Sequence, residues 1–465
     1  SSQYCCPARA SLLMGVHDSH SRSYTQTNGG LVITAEQQGW SNEELEKKAA
    51  RAARIKPSGG EVFLPELLKK AGYVTGQFGK LEWGFTTWHG ELKRHGWDRY
   101  VGYMDHQRAH GYYPSFLWKD GERLPLPGNT HADGGKTPEI YGPGATEKRR
   151  GNRDGKVTYA PDAMLAETLK FMEENRNRPM FILFSTNLPH GPVDIPPAEN
   201  KYAGHPAIRQ AYAGAAGGNR ECAGAAEEYA SMVDKLDRQV GALLAQVHKL
   251  GLEKRTIIVF SSDNGHELYY RTDKERGRGL NCHGGVLDGT GELLDVFRGS
   301  RGLIGQKNAM VNLAGLKWTN HEGGIRIPLI VSWPGTVPHG KVCRSLVANY
   351  DHMATFAELA GVGMPEGKDS VSYKNMLFGK PSSQRDYVVV DHTVITGDGW
   401  KLTHKQDKWL LFQISSDPEE RHNLAETRKD QLERLQAIYR KEAGSPRKDR
   451  QKPEQPRKTA LFPPL

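Results

Sequence analysis

Twice in this chain a helical stripe runs into a short, unbroken apolar run. The segment "PDAMLAETLKFMEEN" carries Met164, Leu165, Leu169 and Met172 at helical spacing, and "MFILFSTN" over 180–187 follows it. The segment "AEEYASMVDKLDRQVGALLAQVHKLG" sets Met232, Leu236, Val240, Leu243 and Val247 on one face, with Gly251 as its cap. It leads into "RTIIVFSSDNG". A further run, "IPLIVSWPG" over 327–335, stops at Pro-Gly. Continuous apolar runs of this length suit strands covered on both faces. Their alternation with helices predicts an α/β domain: a mostly parallel sheet flanked by helices. "YVTGQFGK" over 73–80 reads as one more strand, ending in a glycine turn. "YDHMATFAELAGVGMP" over 350–365 reads as a helix with a glycine stop.

The pattern changes after 378–386. "YVVVDHTVITGDGWKLTHKQDKWLLFQISSDPEE" holds β-type runs split by Gly-Asp-Gly and Ser-Ser-Asp-Pro turns, and "RKDQLERLQAIYRKE" is helical. The organisation predicted is a large α/β domain over 1–378, a small antiparallel subdomain over 379–445 and a basic, proline-rich tail over 446–465. A chain of 465 residues can hold that much. Two long regions, roughly 118–155 and 266–316, lack a sustained period and read as polar loops that shape a pocket. No repeats occur, and no stretch approaches the roughly 20 apolar residues of a membrane helix. The net charge of +9 is concentrated partly in the tail. It fits a solvated surface as well as attraction to an anionic substrate. The chain starts at Ser1, within a few residues of a motif, and reads as a piece whose leader is missing.

The five cysteines, Cys5, Cys6, Cys222, Cys282 and Cys343, are odd in number and include no C-x-x-C pair, which argues against a disulfide framework or structural zinc. Adjacent cysteines rarely bridge each other. Pro7 favours a helix start, and "PARASLLMG" continues to Gly15. Cys5 and Cys6 therefore sit at a helix N-terminus, which acidifies a thiol and welcomes an anion, with Arg9 one turn in. A buried helix start with an incidental pair of cysteines fits equally well.

Other polar residues follow strands. Asp263 and Asn264 end "RTIIVFSSDNG" and suit a hard cation, although Asp-Asn-Gly is also a common turn. His190 ends "STNLPHGP", Lys80 ends "YVTGQFGK", and Lys317 in "GLKWTNHEGGIRIP" precedes the last strand. In α/β sheets ligands bind beyond the carboxyl ends of strands, so these residues converge on one rim.

These residues carry a resemblance. "CCPARASLLMG" resembles the sulfatase signature C-x-P-S/A-R-x-x-L-x-x-G, with Cys5 in its first position. "SSDNG", "LPHGP", the Gly-Lys before a Trp-Gly, and "LKWTNHEGGIRIPLIVSWPG" are similar to the other blocks of that family, in order. "GWKL…DPEERHNLAE" resembles its C-terminal block, and "QRAHGYYPSFLW…LPGN" resembles a stretch from bacterial carbohydrate sulfatases. The resemblance covers nearly the whole chain. It implies an alkaline-phosphatase-like α/β domain with a small C-terminal α+β subdomain. It implies that a maturation enzyme converts Cys5 to formylglycine, whose hydrate attacks the sulfur of a sulfated carbohydrate. By the family pattern Asp263, Asn264 and the converted Cys5 bind Ca²⁺, or Mg²⁺, and Asp263 takes the nucleophile's proton. Arg9 and Lys80 stabilise developing charge, Lys317 and His190 bind the sulfate, and His190 protonates the leaving oxygen. Export to a periplasm or the cell exterior is implied as well, with no nucleic-acid partner and an open oligomeric state.

The chain departs from the pattern twice. The family's upstream aspartate pair is not in it, nor is the strand that carries the pair. Glu82 stands where many relatives have a histidine. His110, or more weakly His106, is the candidate to fill that place. A phosphonate or phosphate monoester hydrolase of the same superfamily, and a non-catalytic polyanion-binding relative, remain as alternatives.

Overall fold

The computed structural model describes residues 1–20, 61–81, 89–130, 155–213, 220–265, 313–380 and 385–443, apart from 107, 192, 315, 316, 318 and 406. It also describes parts of 34–48 and short pieces at 279–280 and 286–287. Helix α1 spans Cys5–Met14 with Pro7 in its first turn. Gly15, at φ 67°, ends it in the left-handed conformation and donates its N–H to the Ser11 carbonyl. Cys5, Cys6, Ala8, Ala10, Leu13 and Met14 are all buried, so α1 is a core helix rather than a surface one.

The main sheet contains β1 (Val74–Lys80), β2 (Arg99–Tyr103), β3 (Phe116–Lys119), β4 (Glu122–Pro125) and β5 (Met180–Ser185), in the order β4-β3-β2-β1-β5. β1 is buried throughout and runs parallel to β2 and β5. β3 and β4 add an antiparallel hairpin at one edge. Side chains of β5 alternate between two layers. Phe181 and Leu183 pack with Cys6, Ala10 and Leu13 of α1, and Ile182 and Phe184 pack with Met164 and Phe171 of α2 (Ala160–Glu174). Burying a side chain such as Leu13 or Phe171 contributes about 1.5–3 kcal/mol. This is the predicted α/β arrangement, with helices on both faces.

At the carboxyl end of β1 the strands come unusually close. Gly79 pairs in register with Gly102, at φ 119° and 154°. A Cβ on Gly102 would lie 1.8 Å from the Gly79 carbonyl oxygen, and one on Gly79 would lie 2.1 Å from that of Ser185. Only glycine permits that approach.

Two expectations need correction. The polar region after 118 begins with the β3–β4 hairpin, not with a loop. Its polar composition comes from outward-facing residues such as Glu122 and Arg123, while Phe116, Leu117 and Trp118 are buried. Residues 131–154 and most of 266–312 lie outside the described residues, as do Glu82 and the 446–465 tail. The second correction concerns the strands flanking Asp263, after helix α3 (Arg220–Lys249). β6 (Ile258–Ser261) and β7 (Leu329–Ser332) pair antiparallel with each other, not within the parallel sheet, and Leu329 and Ile330 are 38% and 60% exposed. An apolar run marks a strand but specifies neither its neighbour nor its direction.

Helix α4 (His352–Ala360) follows. Then β8 (Tyr387–Val390), β9 (Thr393–Thr396), β10 (Trp400–Lys405) and β11 (Lys408–Gln413) form the antiparallel sheet read from the sequence. Leu435 and Tyr439 of α5 (Lys429–Ala443) pack on its Leu402 and Leu411. Wholly buried Lys401 of β10 reaches Glu322 (3.0 Å) and Glu420 (2.9 Å), and Glu420 also accepts from His321 Nδ1 at 2.7 Å. This network holds the turn after Lys317 against the C-terminal sheet.

Candidate active site

Strand ends and the start of α1 meet on one rim. Tyr4 is the N-cap of α1 and offers no side-chain cap, so the first amides of the helix are not met by a capping side chain. Cys5 and Cys6 are both buried free thiols. Arg9, one turn along, donates from Nε to Asp263 Oδ2 at 3.0 Å and from Nη1 to the Lys80 carbonyl at 3.1 Å. That carbonyl also accepts from Ser185 Oγ at 2.8 Å, so α1, β1 and β5 are joined at one oxygen.

The charges here are mutually dependent. Burial alone would push the Asp263 carboxyl up, but Arg9, Lys80 and Lys317 outweigh it and hold the group at about 2. Burial pushes the Lys80 amine down, with Cys5 and Asp263 acting against that and Arg9 and Lys317 adding to it. Burial also pushes the Cys6 thiol up to about 12, so Cys6 is a protonated, inert neighbour. Three cations thus surround one carboxylate, an arrangement that favours a dianionic ligand.

Three histidines line one side. Lys80 Nζ donates to His106 Nε2 at 3.2 Å, and His106 Nδ1 lies 3.4 Å from Cys6 Sγ. His110 stands edge-on to His106, with ring centroids 5.0 Å apart, and stacks nearly parallel on His190 at 4.4 Å. His190 Nδ1 donates to the Gly191 carbonyl at 2.6 Å, and its Nε2 accepts from Lys317 at 3.2 Å. With Nδ1 committed, Nε2 is the nitrogen His190 can offer a reacting oxygen.

The structure therefore places Arg9, Lys80, Asp263, Lys317 and His190 as a connected set around the Cys5 end of α1. His106, the weaker of the two histidine candidates, makes the direct contact with Lys80, and His110 reaches the group through His190. Sequence reasoning missed how the 108–112 segment is held. Tyr112 donates its hydroxyl to the carbonyls of Asn187 (3.0 Å) and His190, and Asn187 Nδ2 donates back to Ala109 (3.1 Å) and Gly111 (3.2 Å). The tyrosines of "AHGYYP" were its available signal.

Asn264 Oδ1 is buried and has no hydrogen-bond partner, while Asn264 Nδ2 donates to the Gly265 carbonyl at 2.8 Å. An orphaned amide oxygen beside an ionised carboxylate fits a hard divalent cation.

The family model described as Sulfatase matches residues 1–362, and the one described as N-sulphoglucosamine sulphohydrolase, C-terminal, matches 317–443. The N-acetylgalactosamine-6-sulfatase of Canis lupus familiaris is 26% identical over 310 residues, which are 66% of this chain and 46% of that protein. The N-acetylgalactosamine-6-O-sulfatase of Bacteroides thetaiotaomicron is 26% identical over 226 residues, 44% of this chain and 39% of its own length. The chain thus spans less than half of either relative. A solved structure from work on glycosaminoglycan metabolism by Bacteroides thetaiotaomicron superposes with a TM-score of 0.63 at 19% identity, covering 95% of this chain and 89% of that one. Another, in complex with its substrate D-glucosamine-2-N,6-O-disulfate, gives 0.56 at 17% identity, covering 95% and 89%. These two likenesses establish the fold.

Proposed function

The chain belongs to the sulfatase family, and on that premise we propose that it hydrolyses sulfate esters of carbohydrates. The observation that carries the reading is the convergence of Arg9, Lys80, Lys317 and His190 on the buried start of α1, where Cys5 lies. The two relatives named for N-acetylgalactosamine-6-sulfate, and the neighbour solved with a sulfated glucosamine, support a sulfated amino sugar as the substrate class. Export, which would bring the protein to such glycans, fits the resemblance. No helix among the described residues is long and apolar enough to cross a membrane.

In this reading a maturation enzyme converts Cys5 to formylglycine, and water hydrates the aldehyde. One hydroxyl of the diol attacks sulfur, the sulfur–oxygen ester bond breaks, and the alcohol leaves with a proton that His190 Nε2 relays from the Lys317 ammonium it meets at 3.2 Å. The second hydroxyl then gives its proton back through His190 Nε2 to Lys317, the carbon–oxygen bond to the sulfate breaks, and sulfate departs as the aldehyde re-forms. Asp263, ionised under these conditions, accepts the nucleophile's proton. Arg9 and Lys80 face the developing negative charge, and Lys317 holds a sulfate oxygen. Asp263 and Asn264 would hold Ca²⁺ or Mg²⁺, which when bound polarises the sulfate and acidifies the nucleophile.

Mass spectrometry of the Cys5 peptide, after co-expression with a maturation enzyme, tests the first step. Formylglycine is lighter than cysteine by roughly 18 Da. Turnover of aryl sulfate against aryl phosphonate tests the second. An unmodified thiol with no turnover would favour polyanion binding without catalysis, and faster phosphonate turnover would move the protein to the phosphonate hydrolases of its superfamily.

A further inference from the structure

A second cluster lies at the other end of α1, about 15 Å along the helix from Cys5. His17 and His20 follow the Gly15 cap, with ring centroids 3.9 Å apart. Asp369 reaches both: Oδ2 is 3.7 Å from His17 Nε2, and Oδ1 is 2.7 Å from His20 Nδ1. Glu442 Oε2, on α5, lies 3.7 Å from His20 Nε2. One ligand atom from each of His17, His20 and Asp369 lies within 4.8 Å of the others, the only such triad among the described residues.

His17 makes the cluster more than a surface coincidence. It is 3% exposed, yet neither of its ring nitrogens has a hydrogen-bond partner. Leaving a buried polar side chain unpaired costs about 1–3 kcal/mol, which a ligand on the ring would recover. Tetrahedral ligands at 2.0–2.1 Å from a metal stand about 3.3 Å apart, so small side-chain rotations close the triad on an ion. Imidazole nitrogens select Zn²⁺ and its transition-metal neighbours over Ca²⁺ and Mg²⁺, which prefer all-oxygen shells.

We propose that His17, His20 and Asp369 bind a zinc-like transition-metal ion, with water as the fourth ligand, at a site separate from Asp263 and Asn264. The ion joins the end of α1 to the 369 segment, while Glu442 of α5 lies 3.7 Å from the other ring nitrogen of His20. The proposal does not rest on the sulfatase reading.

The test is titration of the EDTA-dialysed protein with Zn²⁺ by calorimetry and with Co²⁺ by visible absorption, both in excess Ca²⁺. The expected result is one Zn²⁺ bound per chain, a tetrahedral Co²⁺ spectrum and a Zn²⁺-dependent rise in melting temperature. All three survive Asp263→Asn. Because His17 is buried, the deciding variant is His20→Asn, at a position 39% exposed, which should weaken Zn²⁺ binding at least tenfold and abolish the thermal shift. Absence of Zn²⁺ binding, binding unchanged in His20→Asn, or binding lost in Asp263→Asn overturns the proposal.

Discussion

The guanidinium of Arg9 meets the carboxylate of Asp263 at 3.0 Å, closing a separation of 254 positions in the chain. The same arginine holds the Lys80 carbonyl, so one side chain positions two others. Arg9→Ala should lower kcat/KM on an aryl sulfate by about 10²–10³-fold. Arg9→Lys should recover little of that loss, because an ammonium cannot make both contacts at fixed geometry. Steady-state kinetics with thermal melts on the same samples separate lost chemistry from lost folding. A fully active Arg9→Ala would remove Arg9 from the site.

His190 is tested by the leaving group. As a proton donor to the departing oxygen, His190→Ala should cost about 10²–10⁴-fold on a sulfated sugar, whose alkoxide leaves poorly. On nitrophenyl sulfate the cost should be much smaller, since that group leaves without a proton. Equal losses on both substrates would make His190 a sulfate-binding residue alone. His110→Ala, which removes the stack on His190 and the edge contact with His106, should lower turnover less than His190→Ala on the sugar.

The buried network of Lys401, Glu420, Glu322 and His321 predicts a dependence of stability on pH. Burial pushes Glu420 up, but Lys401 and His321 prevail and hold it at about 2, below its ordinary 4.5. Its contribution to stability is complete above about pH 4.5 and is lost as pH falls through about 2. Lys401→Met, which strands two buried carboxylates, should cost about 3–5 kcal/mol at pH 7. Urea unfolding should show the gap between variant and wild type narrowing from pH 7 to pH 3, as the carboxylates of the variant take up protons. A gap that widened on acidification would contradict the assignment.

Gly79 and Gly102 make a steric prediction. Alanine at either position meets backbone oxygen at 2.1 or 1.8 Å, in a left-handed conformation. Each substitution should cost on the order of 3 kcal/mol. Gly79→Ala should also reduce activity in whatever protein still folds, because Lys80 is the next residue. A melting temperature within a degree of wild type would show that the strands can move apart.

Much of this was legible in the sequence because the signals are local. Pro7 and Gly15 bracket α1, the stripe of Met164, Leu169 and Met172 marks α2, and Lys80, His190 and Asp263 sit at or soon after strand ends. The illegible parts depend on partners distant in the chain. Nothing in "TIIVFS" says that its neighbour is "LIVS" some seventy residues on, running antiparallel. The choice between His106 and His110 turned on which ring faces Lys80, a matter of three-dimensional placement. His17 and His20 carry no local signal of a site, since Asp369 and Glu442 join them only in the folded chain.

Helix α1 also has a history in time. It is made well before what holds it: Asp263 binds Arg9, Asn349 donates to the Ala8 carbonyl at 2.7 Å, and the amides of Asp369 and Ser370 donate to that of Gly15. Contacts of such sequence separation form slowly and, during synthesis, cannot form until most of the chain has emerged. The Cys5 thiol, 3% exposed in the folded protein, is open to other proteins chiefly in that interval. Under the proposed function, in which Cys5 is converted, translation rate and chaperone occupancy would then influence how much of the protein acquires its nucleophile.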